Sequence, residues 1–307
     1  MNTTNLGLVL NQTISIGWFA FLIILVIYFV AFLLDSIAWA ITMVKTPLKF
    51  GLVRQTFNVR LIGEALNNTL PVGGVGGEPV KAFLMKSHYG LEYSDGTASL
   101  ILAKTINMIS LCIFMFLGFL IVIFSETLPM YLKQVSLVGL SITCVLTGLL
   151  VIAQRTNTIL NFINSATGLI GPIRAYKAIN FVETCGNILL DFYKSHLGRL
   201  YVAVTLALAN WFLGVIEVYY AMAFLGVPVT LSEAYVIESV AQMVRMGTFF
   251  IPMSIGAQEG AFLLVVSAVT GSNTTGLALG LIRRARELLW IILGYSVGLV
   301  YSFKSKK

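Results

Sequence analysis

Apolar residues run almost unbroken over Ile14–Met43, Ala98–Phe124, Val135–Ala153, Leu200–Leu225 and Leu277–Tyr301. Each run is close to or longer than the roughly 20 residues an α-helix needs to cross bilayer hydrocarbon, so the pattern predicts five spanning helices. Two further stretches, about 55–90 and 232–272, are also largely apolar, but glycine, proline and single charges interrupt them. Between the third and fourth runs, Ile173, Tyr176, Ile179, Ile188 and Phe192 alternate at helical spacing with Arg174, Lys177, Asp191 and Lys194. That is the pattern of an amphipathic helix on the membrane face, serving as a connector or a gate.

Composition removes the soluble classes. With 58% hydrophobic and 11% charged residues over 307 positions, the chain has more apolar surface than one soluble core can hide, as in a polytopic membrane protein. The net charge of +7 comes from basic residues in short loops beside spans, which sets topology and does not point to nucleic acid. No basic residue precedes the first run and no small-residue cleavage pattern follows it, so it reads as a retained helix rather than a signal peptide. Cys112, Cys144 and Cys185 are too few and too scattered for a disulfide framework or a metal site. The segment GGVGGE lacks the Lys-Ser/Thr ending of a nucleotide-phosphate loop. No catalytic residue, metal or cofactor is expected.

Charge then orients the spans. No Lys or Arg occurs before Lys45, and Lys45, Lys49, Arg54 and Arg60 follow the first run at once. Basic loops stay in the cytoplasm, which puts the N-terminus outside and residues 45–60 inside. Lys81 and Lys86 precede the next full run, so 55–90 enters from the cytoplasmic side and returns to it. The linker Gln154–Arg199 is basic, and Lys304, Lys306 and Lys307 place the C-terminus inside, so 232–272 begins and ends outside. The expectation is an all-α polytopic protein forming a single transmembrane domain over 1–307. It holds two inverted-topology repeats, 14–124 and 200–303, each with a re-entrant helical hairpin at about 55–90 and 232–272. A span and a cytoplasmic amphipathic linker at 135–199 connect them.

In both hairpins a proline is followed seven residues later by a glutamate: Pro71 by Glu78, Pro252 by Glu259. Interrupted helices at matched places in inverted halves mark the binding site of a transporter. Irregular backbone at that depth survives only where protein buries it or a wet cavity borders it. Charges follow each hairpin: Lys104 in one helix, and Arg283, Arg284, Arg286 and Glu287 in another. A charge within a spanning helix costs at least about 2.5 kcal/mol and marks a pathway or a counter-ion. Arg283, Arg286 and Glu287 share a face; pairing one arginine with Glu287 leaves positive charge over, while Arg284 snorkels toward the interface.

Guanidinium and ammonium groups suit phosphate oxygens. Gly73, Gly74, Gly76 and Gly77 would let backbone N–H groups approach such an anion, with Lys81 beside them and a helix starting near Pro79. A phospholipid or polyprenyl-phosphate head group meets these demands. Glu78, Glu259 and Glu287 either close the empty site or carry a proton, and Asn67, Asn68 and Gln258 add neutral donors. Glu64 and Arg245, each seven residues before its hairpin proline, either pair with one another or face an aqueous vestibule. Asp35 and Glu217 either carry protons or hydrogen-bond between helices.

The segments LPVGGVGGEPVKAFLM (Leu70–Met85), ASLILAKT (Ala98–Thr105), IPMSIGAQEG (Ile251–Gly260) and LIRRARELLWIILG (Leu281–Gly294) resemble the transmembrane region of lysylphosphatidylglycerol synthase, a flippase-like membrane domain. The resemblance implies a bundle of inverted repeats that moves an anionic or lipid-linked head group between leaflets of a prokaryotic cytoplasmic membrane. The alternative is a subunit that binds a lipid carrier and presents it to a membrane glycosyltransferase or lipid-modifying enzyme; a homodimer is compatible with either. Where the family often has Pro-Gly-Gly in its second hairpin, this chain has Pro252-Met253-Ser254. No soluble aminoacyl-transferring domain follows Lys307 here, so lysine transfer is not carried over.

Overall fold

A computed structural model describes residues 6–70, 75–126, 128–155, 172–248 and 250–304. Among these residues the chain is all helical, without strands. The first apolar run is two helices, α1 (Leu6–Ser15) and α2 (Gly17–Thr42). Gly17 separates them with φ +71°, a conformation glycine adopts without a Cβ penalty. The short α1 was not expected. Its Gln12 donates to Thr275 Oγ1 (3.1 Å) and the Leu225 carbonyl (3.2 Å), tying it to the last helix.

The first interrupted stretch is α3 (Phe50–Thr69) and α4 (Glu78–Tyr89), and α5 (Tyr93–Phe124) follows. Next come α6 (Met130–Arg155), the amphipathic α7 (Pro172–Ser195) and α8 (Leu197–Phe224). The second interrupted stretch is α9 (Leu231–Gly247), a 3-10 turn at Pro252–Ser254 and α10 (Ala257–Thr270). Thr230 caps α9: its hydroxyl accepts from the Glu233 N–H at 3.2 Å, while the Glu233 carboxylate accepts from the Thr230 N–H at 2.7 Å. The chain ends in α11 (Asn273–Lys304).

Four helices, α2, α5, α6 and α8, are long and apolar enough to cross a membrane. The fifth expected span is α11, a continuous helix of 32 residues whose apolar run is interrupted by Arg283, Arg284, Arg286 and Glu287. Large side chains such as Trp18, Phe124, Val145 and Ile292 are exposed, as a lipid-facing surface requires. Arg60 is not in a cytoplasmic loop, as the charge rule suggested. It lies within α3 and pairs with Asp35 of α2.

Packing has a regular order. α2 lies on α8; α3 packs on α11 and α9 on α5; α4 packs on α5 and α10 on α11. The amphipathic α7 buries Cys185, Leu189 and Phe192 in a cluster with Ala98, Leu102 and Ile106 of α5 and Ala203 and Ala207 of α8. It is therefore docked on the bundle by its apolar face. Glycine permits the closest approach in the first hairpin, since a Cβ on Gly77 would lie 2.0 Å from the Gly63 carbonyl oxygen.

Candidate functional site

Between the two interrupted stretches lies a cavity of ≈ 590 Å³, bordered by residues of α2, α3, α4, α5, α6, α8, α9 and α11 and by the 3-10 turn. The 3-10 turn packs on α3, so the second hairpin's tip meets the first hairpin's long arm. Most ionisable residues of the spanning region converge on this cavity, in three groups.

The first group belongs to the N-terminal hairpin. Lys81 Nζ donates to Glu64 Oε1 at 2.9 Å and to Glu78 Oε1 at 3.0 Å. Asn67 locks the tip, its Oδ1 accepting from the Gly77 N–H at 2.7 Å and its Nδ2 donating to Glu78 Oε1 at 3.2 Å. Arg60 pairs with Asp35, lies over the Phe32 ring at 4.7 Å and stands 3.9 Å from Glu64.

The second group is buried. Arg283 donates to Glu238 Oε2 at 2.6 Å and its Nε lies 3.7 Å from Glu217, to which Arg286 also donates. Gln242 completes Glu238 at 2.7 Å. Arg286 stacks over Tyr28 at 3.8 Å and Arg283 over Phe262 at 5.0 Å. Such cation–π contacts offset part of the cost of taking guanidinium out of water.

The third group ties the C-terminal hairpin. Arg284 donates to Glu259 Oε1 at 2.9 and 2.5 Å, to the Met253 carbonyl at 3.0 Å and to Glu287 at 3.0 Å. The other Glu259 oxygen accepts from the Gly256 N–H at 2.8 Å. Arg245 stands 4.0 Å from Glu287 and lines the cavity.

Several expected assignments change. Arg283 and Arg286 line the cavity, yet they leave no positive charge over: Glu217 and Glu238, from other helices, neutralise them. Arg284 does not snorkel; it is the clamp on the second tip. Glu64 and Arg245 do not pair with one another; each borders the cavity and turns to a different partner. Lys81 is buried between two carboxylates rather than open to an anion. The Gly77 N–H is taken by Asn67, so it is not a free phosphate donor. Gly76 sits in the turn before α4, and Gly73 and Gly74 lie outside the described residues.

Asn67 and Asn68 line the cavity; Gln258 and Glu287 are buried beside it without lining it. Lys104 lines the cavity, is exposed to it, and among the described residues has no ion pair or hydrogen bond. Glu238, Gln242, Asn107 and Asn210 were not singled out in the sequence. Glu238, Gln242 and Arg245 recur at i, i+4 and i+7 along α9, a one-face polar pattern that could have pointed to them. Among the described residues no cluster of three His, Cys, Asp or Glu side chains could hold a metal ion.

The arrangement supplies a partly open cavity within an apolar bundle, lined by paired charges and, among the described residues, by one ammonium without an ion pair or hydrogen bond. No curated protein and no solved structure matches the chain. The family model described as the lysylphosphatidylglycerol synthase TM region matches residues 1–294, nearly the whole chain, and the protein belongs to that family of membrane domains.

Proposed function

We propose that this protein is a transporter, not an enzyme, which moves an anionic, phosphate-bearing lipid between the leaflets of a prokaryotic cytoplasmic membrane. The observation that carries this reading is Lys104, which among the described residues has no ion pair or hydrogen bond, on the wall of a chamber whose other charges are largely matched. A lone ammonium at membrane depth is costly unless an anion meets it. Neutral donors from Asn68, Asn107 and Asn210 surround the same space, and Arg245, 40% exposed at its side chain, offers a second cation. The head group, a phospholipid's or a polyprenyl phosphate's, sits there while its tail remains in lipid.

The helix contacts support two inverted repeats with re-entrant hairpins. Exchanging α2 with α8, α3 with α9, α4 with α10 and α5 with α11 turns most packing pairs among these helices into another that also occurs: α3·α11 becomes α9·α5, and α4·α5 becomes α10·α11, although α5·α8 has no such counterpart. Together with the opposed charge bias of the two halves, this is the organisation of an alternating-access carrier. Glu78 with Lys81 and Glu259 with Arg284 hold the two tips and act as gates.

The test is leaflet exchange of a labelled phosphatidylglycerol, and in parallel a labelled polyprenyl phosphate, in proteoliposomes. Exchange faster than in protein-free vesicles is expected, falling to the protein-free rate in Lys104→Glu. Wild-type exchange by Lys104→Glu would remove the head-group assignment. Binding without faster exchange would instead make the protein a lipid-presenting subunit for a glycosyltransferase or lipid-modifying enzyme. Arg283→Ala and Arg286→Ala are poorer probes, because each strands a buried carboxylate.

A further inference from the structure

A single residue separates α1 from α2, and a single residue separates α7 from α8: Ile16 in the first case, His196 in the second. Each of these leading helices reaches the other half of the chain. Gln12 of α1 donates to the carbonyl of Leu225, at the end of α8, and to Thr275 Oγ1, in the first turn of α11. Val9 packs in one cluster with Leu225 and Leu279. On α7, the Cys185 thiol lies 3.6 Å from the Ser94 carbonyl in the first turn of α5, and the Phe181 ring stands 5.6 Å from that of Tyr93. Leu189 and Phe192 share their cluster with Ile41, near the end of α2, and Val44 packs at its edge.

These are the same places in the two halves. Leu225 and Thr275 lie 181 residues after Val44 and Ser94, the offset that also separates Pro252 from Pro71 and Glu259 from Glu78. Gly90 and Gly271, at that offset too, end α4 and α10 with φ of 70° and 77°, the left-handed cap that glycine adopts freely. The chain leaves α2 at Thr42 and starts α5 at Tyr93, with the first interrupted stretch between; it leaves α8 at Phe224 and starts α11 at Asn273, with the second between. So α7 ties together the two roots of the first hairpin, and α1 ties together the two roots of the second.

We propose that α1 and α7 are the two latches of the transport cycle, α1 closing the root of the second hairpin on the outer face and α7 that of the first on the cytoplasmic face. The proposal rests on the carrier reading above. A hairpin whose two roots are pinned by one helix cannot tilt or slide against its flanking spans, so each latch lets go once per cycle. The outer latch is built for release. Val9 is buried, but Leu8, Leu10 and Ile14 are exposed, so lifting α1 uncovers little apolar surface and breaks hydrogen bonds to neutral partners. Gly17, with φ +71° and nothing within 4 Å of where a Cβ would stand, gives α1 a pivot with free space around it.

The test is leaflet exchange in proteoliposomes, with whichever of labelled phosphatidylglycerol and polyprenyl phosphate the wild type exchanges. One protein carries Gln12→Cys and Thr275→Cys with Cys112, Cys144 and Cys185 replaced. The other keeps Cys185, adds Ser94→Cys and has Cys112 and Cys144 replaced. Exchange is measured before cross-linking, after a short bis-methanethiosulfonate reagent has joined the pair, and after reduction. The expected result is exchange at or above the wild-type rate before cross-linking, the protein-free rate with either pair joined, and recovery on reduction. Undiminished exchange with either pair joined overturns the paired latches and leaves the carrier reading standing. Absence of exchange of both lipids in wild type overturns the carrier reading and the latches with it. Where a variant does not fold, Gln12→Cys with Ser272→Cys, whose hydroxyl lies 2.8 Å from that of Thr275, and Phe181→Cys with Tyr93→Cys join the same two clasps and decide the question.

Discussion

At the tip of the second hairpin, Met253 and Ser254 have φ of 54° and 49°, the left-handed region where a side chain costs about 1–2 kcal/mol per residue. These are the two positions where the resemblance led us to expect glycines. The chain keeps the glycine conformation without the glycines. Arg284 helps to hold it by donating to the Met253 carbonyl at 3.0 Å, and the buried Ser254 sits beneath. Met253→Gly and Ser254→Gly are therefore expected to stabilise the protein by about 1 kcal/mol each, the relief of strain less glycine's own entropy. Thermal unfolding of the purified protein in detergent checks this, and a fall in stability would mean that the two side chains hold the tip by contacts of their own. At this scale the sequence was informative about which residues matter and poor on whom they meet. The pairing of Arg283 or Arg286 with Glu287 looked natural because helical spacing is visible in a sequence. The real partners, Glu217 and Glu238, sit 69 and 45 residues from Arg286 and Arg283, where only tertiary packing brings them.

At the scale of elements, hydropathy located the long helices within a few residues, because the bilayer demands a nearly uniform apolar run. It missed α1, whose ten residues are too short to stand out from the run behind it. It placed α7 correctly but left its docking undetermined: an amphipathic period states that a face is apolar, not what covers it. Here α5 and α8 cover it, and Cys185 packs in that seam with its thiol 3.6 Å from the Ser94 carbonyl. Burial, with the charge of Asp95, pushes this thiol up to about 11. The folded state thus holds the thiol proton more tightly than the unfolded chain does. Its preference is complete below the ordinary thiol value and is lost as pH rises through the folded one. At about pH 8 the thiolate fraction is roughly two orders of magnitude below that of an exposed thiol. Maleimide should label Cys185 that much more slowly in wild type, and labelling should quicken in Phe192→Ala, which removes the largest side chain α7 buries in this seam. Equal rates in the two proteins would show that α7 is not held by this seam.

For the whole molecule, the legible part of the site was its address and the illegible part its charge balance. Pro71, Pro252 and the two glutamates after them pointed to two tips, and both tips border one chamber. That most charges lining the chamber are paired, while Lys104 among the described residues is not, depends on Asp35, Glu217 and Glu238, acids whose direction within a helix a sequence does not give. The remaining question at this scale is whether the hairpins enter from opposite faces. Ser87 near the end of α4 and Asn273 at the start of α11 are both exposed and lie at the outer ends of their hairpins. Lys45, Lys49, Arg54 and Lys86 flank the first hairpin in sequence, and no Lys or Arg lies between Arg245 and Arg283 around the second, so the charge rule sets Ser87 inside and Asn273 outside. In a variant with Cys112, Cys144 and Cys185 replaced, Ser87→Cys and Asn273→Cys are expected to react with a membrane-impermeant maleimide from opposite sides of sealed vesicles. Reaction of both from one side would place the hairpins on the same face, and the symmetric helix contacts would then require a parallel repeat, with no inward and outward pair of gates.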